Sequence, residues 1–265
     1  MTIFFREIAR NRKQFLVWTI ILVLSSIGMM AMYPTFADQA GEYNELMKKF
    51  PKEMLEALGL DQLNMGLILD YFAYVFLYII LFGGVYAMLL GSSIISKEES
   101  EKTVEFLMAK PVTRKMIITS KAACVLFYLV LFNLIFAVAD YFMFEAVKKD
   151  AYSMNIFLLL HFGFFMLQLT FAAVGLLISV FVVKAKSLYP IVFGVVLGAF
   201  FLNIISAMSD KLENFKYLSP FKYVSPADMV KNGKIETTYL VIMAVVVIIS
   251  VALTYLFYNR KNISV

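Results

Sequence analysis

The sequence predicts an all-α integral membrane protein with six transmembrane helices. Three observations carry that reading. The chain has 265 residues, 62% of them hydrophobic and only 16% charged, against about 25% charged in a typical soluble domain. Its 26 Phe, 16 Met and 15 Tyr exceed what a soluble core of this size can hide. Six stretches free of Asp, Glu, Lys and Arg approach or exceed the roughly 20 apolar residues that cross a bilayer; they are 15–33, 71–95, 122–139, 151–183, 187–209 and 237–259. Disorder, a soluble globular enzyme and a disulfide scaffold are excluded. Cys124 is the one cysteine and His161 the one histidine, so an intrachain disulfide is ruled out and a His-based metal site is not expected. The net charge of +5 reads as a bias of location, not as nucleic-acid binding.

The whole chain, 1–265, reads as a single transmembrane domain, with spans at about 15–34, 69–95, 117–146, 154–183, 187–209 and 237–259. Residues 2–14 form an expected amphipathic elbow helix on the membrane surface. Phe4, Ile8 and Phe15 share one face, and Arg6, Arg10 and Lys13 another. A charged lead-in to span 1 fits the same residues. Span 1 is read as a retained helix, because its apolar run exceeds a signal peptide's usual 7–15 or so residues and no Ala-x-Ala site follows.

In the first outer loop, Tyr43, Leu46, Met47, Phe50, Met54 and Leu58 recur at helical spacing. Pro51 is placed to start a second short helix and Gly59 to stop it. In span 2, Gly83, Ala87 and Gly91 form a row of small residues, and in span 5 Gly194 and Gly198 form GxxxG. Such rows let membrane helices approach closely, within one subunit or between two. Span 4 is long enough to tilt but too short for two crossings. Between spans 5 and 6, Ser225, Pro226 and Asp228 read as an N-cap and first turn, and Gly233 closes that short helix. Tyr217, Phe221 and Tyr223 are placed for headgroup level.

Orientation follows from the loops. Six spans put both termini on one side. That side carries 14 of the 24 Lys and Arg, including the short Lys184–Lys186 turn, but only five acids. The excess predicts cytoplasmic termini, with 97–121 inside and 38–67 and 210–236 outside.

The most informative stretch is 96–114, which follows span 2. Glu98, Glu101, Lys102 and Glu105 make a charged stripe, and Val104, Leu107 and Met108 an apolar one. Pro111 ends the helix, and Arg114, Lys115 and Lys121 lead into span 3. Such a two-faced helix at the cytoplasmic surface suits docking of a soluble partner, though a solvated loop helix has the same pattern.

This stretch resembles the segment after the second transmembrane helix of ABC-2-type ABC transporter permeases. Their pattern is a Glu-rich run, Thr-x-Glu-x-Leu, then Pro, a small or β-branched residue, Ser or Thr, Arg and a Lys. Here it stands as Glu98-Glu99, Thr103-Val104-Glu105-Phe106-Leu107, Pro111-Val112-Thr113-Arg114 and Lys121. The likeness covers the chain, from the basic N-terminus through six spans to a Pro-Phe-Lys-Tyr segment before the last span. One departure is Lys102-Thr103, where the family has Gly-Thr. The chain is also similar to small permeases of Gram-positive bacteria, some linked to antimicrobial or amphipathic peptides.

The resemblance implies a permease subunit in a bacterial plasma membrane. It would pair with a second permease, as a homodimer or heterodimer, amid membrane lipid. A separate cytoplasmic ABC ATPase would bind ATP and Mg, so this chain itself carries no cofactor and no catalytic residue. Its 98–109 coupling helix would take the push of ATPase closure. Glu98, Glu99, Glu101, Glu105, Leu107, Met108 and Arg114 are the implied contacts. The chain has no GxxxxGK[ST] loop, and no GxSxG, HExxH or CxxC either.

Within the spans, Tyr74, Tyr78, Asn133, His161, Gln168 and Asn203 are candidates to line a translocation cavity. Interhelical hydrogen bonds, or aromatic packing for the tyrosines, are the plainer roles. Asp70, Asp140 and Glu145 read as solvated helix ends. Two rival functions share the sequence: a secondary carrier without an ATPase, and a membrane anchor that recruits a cytoplasmic partner without transport.

Overall fold

The computed structural model describes residues 3–47, 49–51, 55, 59–61, 63–100, 112–182, 184–208 and 215–261. Among them there is no strand. The long helices are α1 (Ile3–Met30), α4 (Ile68–Ser100), α5 (Arg114–Val147), α6 (Met154–Phe181), α7 (Leu188–Met208) and α10 (Thr237–Arg260). Short helices fill the loops: α2 (Tyr33–Asp38) and α3 (Ala40–Met47), then α8 (Pro220–Tyr223) and α9 (Pro226–Asn232). The six long helices are each apolar and long enough to cross a membrane, as the sequence led us to expect.

Helix ends follow local chemistry. Thr113 caps α5 by accepting from the Met116 N–H at 3.2 Å. Ser225 caps α9, Pro226 fills its first turn, and Gly233 closes it in the left-handed conformation at φ 64°. Gly59 also adopts a left-handed φ of 69°.

Helices α4 and α6 form the core. In the most apolar stretch of each, 72% and 61% of residues are buried, against 17% for α7 and α10. Glycine explains the closeness of that pair. A Cβ on Gly91 would lie 2.1 Å from the Ala172 carbonyl oxygen, and one on Gly175 would lie 2.5 Å from that of Met88. The two backbones therefore touch directly, an approach no larger residue allows. Gly83 leaves room instead for the Phe164 side chain of α6. The small-residue row of span 2 is thus spent inside the subunit. A Cβ on Gly194 or Gly198 would meet nothing within 4 Å among the described residues, so the GxxxG row of α7 faces outward.

One expectation about the helices needs correction. The expected elbow is not a separate element, because α1 runs unbroken from Ile3 into the first span. Phe4 and Ile8 pack on α5, where the Tyr128 hydroxyl donates to the Ile8 carbonyl. Glu7 and Asn11 are buried on that helix too. The contacts to α5 hold this segment in line with the span. In the α8 region Phe221 and Tyr223 are buried against α6, α7 and α10, while Tyr217 is exposed.

Candidate functional site

The end of α4 meets the start of α5 beside the N-terminal half of α1. Lys121 of α5 is fully buried there. Its Nζ lies 3.1 Å from Glu7 Oε1 and 3.2 Å from Glu98 Oε2, and donates to the Ile94 carbonyl at 2.5 Å. Both carboxylates are themselves about 1% exposed. Asn11 donates to the Glu7 carbonyl at 2.9 Å, while Lys97 Nζ donates to Asn11 Oδ1 at 3.0 Å and Gln14 Oε1 at 3.3 Å. An ionic cluster thus joins α1, α4 and α5 out of contact with water. Each ion costs several kcal/mol to desolvate, so the cluster holds only while its partners are all present.

The other end of the connecting segment is also fastened. Arg114 Nη1 donates to the carbonyls of Tyr258, Asn259 and Lys261 at 3.1, 3.1 and 2.7 Å. A guanidinium on the last carbonyls of α10 satisfies groups that no helix residue can reach, and opposes the negative end of the helix dipole. Thr119 and Tyr255 hydroxyls add a contact at 2.7 Å. Glu98 is therefore anchored to α1 and α5 through Lys121, and Arg114 to the end of α10.

The expected docking residues separate on this geometry. Glu98 is not a surface residue, because it is buried against Lys121; this corrects its expected exposure. Arg114 is engaged with the end of α10. Glu99 lies in the last turn of α4. Glu101, Glu105, Leu107 and Met108 lie outside the described residues.

Inside the spans, the polar residues mostly bind one another. Asn133 Nδ2 donates to Gln168 Oε1 at 2.6 Å, and Gln168 Nε2 to the Gly83 carbonyl at 3.4 Å, which bridges α5, α6 and α4. His161 Nε2 lies 3.2 Å from Asp140 Oδ2, and its Nδ1 2.8 Å from the Phe157 carbonyl. Ser26 of α1 donates to the other Asp140 oxygen at 2.7 Å. Phe72, Phe76, Phe136 and Phe157 surround this histidine. Asp140 is fully buried, not a solvated end. Asp70 is buried as well and accepts from the Asn64 N–H at 2.8 Å, whereas Glu145 is exposed beside Lys148. Among the described residues no group of three His, Cys, Asp or Glu is placed to hold a metal ion.

Tyr74, Tyr78 and Asn203 do line open space. A cleft of about 270 Å³ lies between α4, α7 and the α8–α9 segment, with Tyr74, Asn203, Phe221 and Asp228 in its wall. A groove of about 510 Å³ runs between α1 and α4, along Trp18, Met29, Tyr74, Tyr78 and Phe82.

Sequence reasoning missed the cluster around Lys121. Its trace is Glu7 and Asn11, four apart on one face of an otherwise apolar and basic helix. Glu7 and Lys121 lie 114 positions apart, so no local pattern joins them. Asp140 and His161 escaped for the same reason.

A comparison with curated proteins finds no match. A family model described as ABC-2 family transporter protein matches residues 1–263. With six membrane-length helices and a matched region that takes in nearly every residue, the chain belongs to the ABC-2 family of transporter membrane proteins.

Proposed function

We propose that this multi-pass membrane protein is the permease subunit of an ATP-driven exporter. A separate cytoplasmic ATPase supplies the energy, and the cargo is a hydrophobic or amphipathic molecule. The observation that carries the coupling is the anchorage of Glu98 and Arg114, the residues on either side of 99–113. Force applied between Glu98 and Arg114 reaches α1, α4 and α5 through Lys121, and α10 through the Arg114 contacts. Ends held by four spans pass on a push that unattached ends would absorb.

Both termini and this segment are cytoplasmic in the reading, supported by the excess of Lys and Arg on that side. Two permeases pair through the open GxxxG face of α7. The test is reconstitution with the partner ATPase. ATP-dependent substrate movement that stops without the ATPase supports the reading. Movement driven by an ion gradient in its absence contradicts it.

One observation favours a second reading, an ion-coupled carrier. Asp140 and His161 form a buried pair of ionisable groups inside the spans, with Nε2 3.2 Å from Oδ2. Proton-driven transport by the purified chain, abolished by Asp140→Asn, would select it.

A further inference from the structure

Tyr74 lines both the cleft and the α1–α4 groove. Their walls differ in chemistry. The groove is aromatic and aliphatic, and opens outward past Tyr78 and Phe82, which are 41% and 49% exposed. The cleft is polar. Its charged lining among the described residues is Asp61, Lys222 and Asp228. Lys222 is taken up by Asp228 at 2.7 Å, which leaves the Asp61 carboxylate as the uncompensated charge. The side-chain amide of Asn203 faces the same cleft and makes no hydrogen bond among the described residues. We propose that cleft and groove form one site for a single-tailed cationic amphiphile, with its ammonium head in the cleft and its tail along the groove. The proposal rests on the permease reading and names its substrate class.

The head carries the selectivity. Membrane lipid is as apolar as the groove wall, so the tail gains little by leaving it. A cationic head gains the Asp61 charge, the Asn203 oxygen and the π face of Tyr74. An anionic head meets a carboxylate instead. The tail fixes where the molecule lies, which is against Trp18, the one tryptophan of the chain.

That tryptophan makes the test direct. The full chain is placed in phosphatidylcholine nanodiscs, so that the bilayer itself carries no net charge. Trp18 fluorescence is titrated with dodecyltrimethylammonium or dodecyl sulfate bearing the same brominated tail. The expected result is saturable quenching by the ammonium probe at a concentration up to about fivefold below the sulfate probe, the worth of one exposed ion pair. Asp61→Asn should erase that preference, and Asp228→Asn, which frees Lys222 to offset Asp61, should erase it too. Equal and unsaturable quenching by both probes overturns the site, as does an unchanged preference in Asp61→Asn. Retained binding without ATPase stimulation would remove the permease reading alone. Stimulation without any head-charge preference would remove the site alone.

Discussion

Lys121 Nζ sits 3.2 Å from Glu98 Oε2, and this contact closes the chain on itself at the base of the 99–113 segment. Glu98 is in the last turns of α4 and Lys121 is two turns into α5. Glu7 of α1 shares the same ammonium at 3.1 Å. Charge thus ties α1, α4 and α5 together at this point.

Removing the ammonium should be costly. Lys121→Met leaves two carboxylates buried together, and a buried ion stripped of its partner costs about 3–5 kcal/mol. Thermal unfolding in detergent should show a large drop. Adding Glu7→Gln and Glu98→Gln to that variant should recover much of it, since three neutral groups have no charge to desolvate. A single variant as stable as the parent would mean that the cluster does not hold these helices.

The two small-residue rows should respond oppositely. Gly91→Leu forces a side chain into the Ala172 backbone, so α4 and α6 must separate and yield of folded protein should fall sharply. Gly194→Leu meets open space, so the subunit should fold normally while crosslinking between permeases weakens. Loss of folding in Gly194→Leu would show a buried role that the structure lacks.

Asn133→Leu breaks one interhelical hydrogen bond to Gln168. In membranes such bonds are worth about 0.6–2 kcal/mol, so stability should fall modestly and transport selectivity should not change. A change of substrate preference at full stability would return Asn133 to the cavity wall.

Orientation is open to cysteine labelling in a background with Cys124 replaced. Ser100→Cys should react only when the inner face is accessible, and Asn232→Cys should react in intact cells. Strong outside labelling at position 100 would invert the topology.

The fold was more legible than the site. Span count follows from apolar runs, because lipid forces each run into a helix whatever its neighbours do. The α9 turn was equally plain, since Ser225, Pro226 and Gly233 act within one short helix. The elbow misled because Phe4 and Ile8 form an apolar stripe, and a stripe does not say whether lipid or α5 will cover it. Glu98 misled in the same way. Its charge suggested water, but Lys121 lies within reach only once α4 and α5 are antiparallel neighbours. Asp140 shows the limit most clearly, because its two partners come from α1 and α6.

The central claim is that the 99–113 segment receives the ATPase stroke and passes it through its anchored ends. The most direct test is Leu107→Asp, compared with the Glu101→Lys, Glu105→Lys double reversal, in the permease–ATPase complex reconstituted in vesicles. An apolar anchor in a partner's pocket is worth about 2 kcal/mol or more, and an exposed ion pair about 0–1 kcal/mol. Leu107→Asp should therefore cut ATPase co-purification by roughly thirtyfold and abolish substrate-stimulated ATP hydrolysis, with the subunit itself still folded. Full partner binding and full stimulation in that variant would contradict the account.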